Sequence, residues 1–150
     1  MAERTELENL SHLIEVCKDG EHGFLAAAER VNASGLNLLF KELAAERAKF
    51  AAELVPHLRR MGGHVDQTDH DGTSAGALHR GWIGLKGLMP GHPDHLIVTE
   101  AARGEHAAQA AYIEALNGIL PPTVIDLVER QPDAMQKAVE RVRAFDMGYA

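Results

Sequence analysis

Apolar residues recur at alternating steps of three and four over four long stretches of this chain, a period that commits each stretch to an amphipathic helix. The first stretch, about Thr5 to Asn32, carries Leu7, Leu10, Ile14, Cys17, Glu21, Phe24, Ala28 and Val31 on one stripe. The second, about Gly35 to Met61, aligns Leu36, Leu39, Phe40, Leu43, Phe50, Leu54, Leu58 and Met61. In the third, about Asp94 to Leu116, Val98, Glu105, Tyr112 and Ile119 stand one heptad apart, with Ala101, Ala108 and Ala115 between them. The fourth, Pro122 to about Phe145, places Val124, Val128, Gln131, Met135, Ala138, Val142 and Phe145 on its stripe.

The punctuation between these stretches orders them. Asn32-Ala33-Ser34-Gly35 is a short turn that makes the first two helices antiparallel neighbours, with Ser34 as the expected N-cap. Gly62-Gly63 permits a left-handed helix end, and Pro121-Pro122 marks the turn into the fourth helix. Pro56 and Pro132 are expected to weaken or kink their helices. From Gly62 to Pro93 the chain turns polar (His64 to Gly72) and then amphipathic, with Leu78, Trp82 and Leu85 at helical spacing, so the long connection is read as carrying a short crossover helix over about Ala75 to Leu88. The expectation is a single all-α domain over 1–150: a ferritin-like four-helix bundle of two antiparallel hairpins, with a short extra helix in the crossover between helices 2 and 3.

Composition narrows the partners. Fifteen Lys and Arg against twenty-two Asp and Glu leave a formal charge of −7, which gives no attraction to nucleic acid or to an anionic membrane surface. No apolar run approaches the roughly 20 residues that cross a bilayer, and no secretory leader is recognisable, so the expected address is the cytoplasm. Cys17 is the only cysteine. It cannot form an internal disulfide or a thiolate cluster, and any metal would have to be held by carboxylates and imidazoles.

The residues that break the apolar pattern are the informative ones, because a carboxylate left unpaired in a bundle core is costly. Glu21, Glu105 and Gln131 lie on stripes; Glu46 and Arg47 straddle one, and the spacing leaves open which of the two points inward. Glu21 and Glu46 both fall about 18–20 Å from the first turn, so they share a level; Glu105 and Gln131 differ by about 6 Å relative to the second turn. One polar residue per helix at mid-bundle is the arrangement in which carboxylate-bridged metal sites are built.

The runs Leu13-Ile14-Glu15-Val16-Cys17-Lys18-Asp19-Gly20-Glu21, Glu42-Leu43-Ala44-Ala45-Glu46-Arg47, Gly76-Ala77-Leu78-His79-Arg80-Gly81-Trp82-Ile83 and Arg103-Gly104-Glu105 through Tyr112 resemble an uncharacterised bacterial family of ferritin-like four-helix-bundle proteins, over about Leu7 to Phe145. That family has no established biochemical role. Within the wider ferritin and rubrerythrin group, the resemblance implies Glu21, Glu46, Glu105 and Gln131 as ligands of iron or manganese, and associates the chain with stress. Two departures stand against this. Glu46 is followed three residues later by Lys49 in place of histidine, and no Glu-x-x-His occurs on the fourth helix.

Two readings follow. In one, the protein is a non-catalytic, self-associating helical bundle whose interior acids are satisfied by a cation such as Lys49, Arg47 or Arg103 and fix helix register. In the other, it is a divergent iron or manganese protein of ferroxidase or oxidase type. The remaining candidates have ordinary explanations: His64, His70, His92 and His95 with Asp66, Asp69, Asp71 and Asp94 are expected to be solvated, Cys17 to act as a small apolar residue, and Trp82 and Tyr112 to fill volume. No nucleophile triad, phosphate loop or dinucleotide fingerprint is present.

Overall fold

Thr5 opens the first helix with a reciprocal cap: its hydroxyl accepts from the Glu8 amide at 3.1 Å while the Glu8 carboxylate accepts from the Thr5 amide at 3.0 Å. Those hydrogen bonds hold the Glu8 carboxyl below its ordinary value. In the computed structural model, which describes residues 4–64, 82, 84, 85, 88 and 91–146, this helix is α1 (Glu6–Arg30). It is followed by α2 (Ser34–Arg60), α3 (Asp94–Asn117), a 3-10 turn (Pro122–Val124) and α4 (Ile125–Asp146). No strand occurs among the described residues.

Ser34 is not the cap of α2. That position is Ala33, which has no side chain to give, and the carboxylate of Asp94 at the head of α3 takes over by accepting from the Asn32 and Ala33 amides at 2.7 and 2.9 Å. An acid at a helix start also meets the positive end of the helix dipole. At the other end, Gly62 adopts φ +83° and the Gly62 and Gly63 amides donate back to Arg59 and Leu58, the paired bonds that a left-handed glycine makes possible. α2 runs through Pro56 and α4 through Pro132 without ending.

Side-chain ties give the helix directions. Asn9 donates to the Ile119 carbonyl at 2.8 Å and Cys17 meets Tyr112, so α1 and α3 are antiparallel. Arg141 donates to Glu42, Gln131 to Glu53, and His57 lies 3.2 Å from Thr123, so α2 and α4 are antiparallel as well. Each helix packs against two neighbours: α1 against α2 and α3, and α4 against α3 and α2. The end of α2 and the start of α3 therefore lie at opposite ends of the molecule. The crossover helix expected there lies outside the described residues, apart from Trp82 and Leu85, which are buried, and Leu88, which is partly buried.

The core divides into two clusters. Toward the α1 start, Leu10, Leu13, Ile14 and Cys17 pack with Leu54, Leu58, Tyr112, Val128 and Met135. Toward the α2 start, Phe24, Phe40 and Leu43 pack with Trp82, Leu85, Ile97, Val98 and Val142. Trp82 is seated between α1 and α3: a methyl group added at Gly23 or at Gly104 would lie 2.2 Å from its indole. Ile119, one heptad beyond Tyr112, is exposed because α3 has ended at Asn117. No helix among the described residues is long and apolar enough to cross a membrane.

Candidate functional site

A polar layer lies between the two apolar clusters. The stripe of α2 runs Phe40, Leu43, Ala44, then Phe50, Ala51 and Leu54, all buried, and the residue in phase with them is Arg47, of which 1% is exposed. Its stem lies over Gly20 of α1, where even a methyl group would come within 3.1 Å of Cγ, and its guanidinium lies 5.7 and 5.1 Å from the ring centres of Phe24 and Phe50. Those ring faces attract a cation that has left water.

The charge is answered from α3. Arg47 Nε donates to Glu105 Oε1 at 3.1 Å and Nη2 donates to Glu105 Oε2, a two-pronged pair with both partners buried. The remaining Nη1 donates to Glu46 Oε1 at 3.3 Å; Glu46 is half-buried beside it. Burial pushes the Glu105 carboxyl up to about 7, against the pull of Arg47.

A second set of bonds joins one residue from each helix. The Tyr112 hydroxyl donates to Gln131 Oε1, and Gln131 Nε2 donates to Glu53 Oε1 at 3.5 Å. With that hydroxyl hydrogen committed to Gln131, the thiol of Cys17, 3.0 Å from the Tyr112 oxygen, is the donor. Burial raises the Cys17 thiol to about 12 and lifts the Tyr112 hydroxyl well above its usual range, so both stay protonated. Cys17 is thus an inert, hydrogen-bonded core thiol and not an activated nucleophile.

The four residues singled out from the sequence have different fates. Glu105 is buried on Arg47, Glu46 meets the same guanidinium from the layer's edge, and Gln131 is buried on Tyr112, seven residues along α3 from Glu105. The 6 Å mismatch between Glu105 and Gln131 counted from the turn is accommodated in this way, with Gln131 bonding one level away. Glu21 is half-buried and does not join the Arg47 pair. Among the described residues, no three His, Cys, Asp or Glu side chains gather closely enough to hold a metal ion. Glu53 and the buried Asp19 belong to the polar interior and were not picked out by the stripe. Of the histidines near the connection, His64 is exposed and His95 lies 2.7 Å from Asp146.

The raised Glu105 value has a measurable consequence. A carboxyl whose folded value, about 7, lies above its ordinary value of 4.5 binds its proton more tightly when folded. Its contribution to stability is therefore fully present below about 4.5 and is lost as pH rises through about 7. In urea unfolding at intervals across this window, the stability of the wild type relative to Glu105→Gln is expected to fall by on the order of 3 kcal/mol, then level off. A difference that is flat, or that grows with pH, would show that the carboxylate is ionised throughout.

No curated protein matches the chain. Residues 5–118, which hold Cys17, Glu46, Arg47, Glu53, Glu105 and Tyr112 but not Gln131, match the family described as Domain of unknown function (DUF2383), and the chain belongs to that family.

Proposed function

We propose that this protein is a non-catalytic, ferritin-like bundle whose mid-bundle position is filled by its own cation, Arg47, in place of a metal, and that it serves a structural, stress-related role in the cytoplasm through its surface. The order of helix directions, with a long connection joining two parallel helices diagonal to one another, supports the ferritin-like reading. The observation that carries the proposal is the Arg47 guanidinium held by both oxygens of Glu105 and flanked by Phe24 and Phe50. A metal at this level would have to displace a buried arginine from its carboxylate.

The competing reading, iron or manganese on Glu21, Glu46, Glu105 and Gln131, gives a different experimental result. Protein purified without chelator or affinity tag is expected to contain no stoichiometric iron or manganese, and anaerobic addition of ferrous iron followed by oxygen to leave its spectrum unchanged. Near-stoichiometric metal that disappears in Glu21→Ala and in Glu46→Ala overturns the proposal and makes the chain a carboxylate metalloprotein.

A further inference from the structure

Two other helix ends meet the head of α3. Asp94, its first residue, accepts from the Asn32 and Ala33 amides at the start of α2, and His95 beside it places Nδ1 2.7 Å from Asp146 Oδ2 at the end of α4. The partners of this second contact differ in setting: His95 is 72% exposed, whereas only 17% of the Asp146 side chain meets solvent. A carboxylate in a last helical turn also faces the negative end of its own dipole, so Asp146 gains from a cation supplied by another helix. We propose that His95 is a pH-sensitive clasp, which holds the last turn of α4 in place while its imidazole is charged and frees it when the proton leaves.

The residue next to Asp146 shows what the clasp holds. Phe145 packs so closely over Gly35 of α2 that a methyl group added there would run into its ring, and it lies against the apolar cluster toward the α2 start. A last turn that unwinds must lift this ring, so a proton on α3 sets whether the end of α4 stays seated on α2. Histidine is the side chain whose charge ordinarily changes between about pH 5 and pH 8. Below that range an imidazolium attracts the carboxylate; above it only a neutral hydrogen bond remains, so the hold weakens as pH rises. The other charged groups of this corner are Asp94 on its two amides, Arg30 on the Ala26 carbonyl, Arg141 on Glu42, and Arg143 in the last turn of α4. The first turn of α2 carries no ionisable side chain, and the second histidine here is His92, whose carbonyl accepts from Asn32. This inference does not depend on what fills the bundle interior.

The test is hydrogen exchange of the full chain, followed residue by residue by NMR between about pH 5 and pH 8, with each rate corrected for its intrinsic dependence on pH. In the wild type, protection of the Phe145 and Asp146 amides is expected to fall about threefold across this range. In His95→Gln and in Asp146→Asn it should be low and flat. The fall should persist in His92→Gln, and also in Glu105→Gln, which removes the interior carboxyl that titrates in the same window. Flat protection in the wild type overturns the proposal, as does a fall that survives in His95→Gln or Asp146→Asn. A fall lost in His92→Gln assigns the effect to that histidine and one lost in Glu105→Gln assigns it to the interior; either result overturns the proposal too.

Discussion

Replacing Glu105 by leucine is expected to cost about 3–5 kcal/mol, a large share of the stability of a domain of this size. The cost comes from what remains. Only 1% of the Arg47 side chain is exposed, and its one other carboxylate partner, Glu46, reaches a single Nη atom at 3.3 Å. Removing Arg47 instead leaves a carboxyl that can escape by keeping its proton, so the loss in Arg47→Met should be smaller at pH 5 and should grow above pH 7. Changing both together, Arg47→Met with Glu105→Leu, should recover most of the stability, because two well-packed apolar side chains need no solvation. Urea unfolding of the three variants decides the matter. If Glu105→Leu loses no more than about 1 kcal/mol, the guanidinium is reached by water and the layer is not a closed ion pair.

The second large effect is expected at Trp82, the only tryptophan. Truncation to alanine should cost about 3–5 kcal/mol, since the ring is fully enclosed, with Phe24 edge-on at 4.8 Å. A subtler variant reads the packing directly. Gly104→Ala puts a methyl group 2.2 Å from the present indole position, and the ring must shift to accept it. The expected cost is about 1–3 kcal/mol, with a red shift of the single tryptophan emission as the indole meets water. Emission unchanged in both Gly104→Ala and Gly23→Ala would mean that the indole does not occupy the slot between α1 and α3.

The helices themselves were legible because their pattern repeats over more than five turns each. On α2 and α4 the stripe read from spacing and the buried residues agree almost position for position: Leu36, Leu39, Phe40, Leu43, Phe50, Leu54 and Leu58, then Val124, Val128, Gln131, Met135, Ala138 and Val142. The choice between Glu46 and Arg47 was not legible from steps of three and four, since both are in step with Leu43 and Phe50. Heptad phase was the stronger signal: Phe40, Arg47 and Leu54 are seven apart and all buried, whereas Leu39 and Glu46 lead to the part-exposed Glu53. The half-buried setting of Glu21 was hidden for a related reason. That residue is one heptad from the buried Ile14 and Ala28, but Gly20 beside it makes the room that Arg47 fills, and no property of a single helix records what a neighbouring helix inserts. The Asp94 cap was hidden likewise, because its partners lie 61 and 62 residues away in the chain.

The position of the polar layer also governs the order in which the molecule can be assembled. Arg47 and Glu105 are separated by 58 residues and Cys17 and Tyr112 by 95, and each pair joins one helical hairpin to the other. A hairpin of α1 and α2 formed by itself holds Arg47 without its principal counter-charge, so that side chain keeps its water until the second hairpin arrives. Docking must strip the water from guanidinium and carboxylate together, a cost that the short turn within each hairpin does not carry. A sliding error of one helical turn between hairpins would bury both charges apart, which makes the layer a check on register.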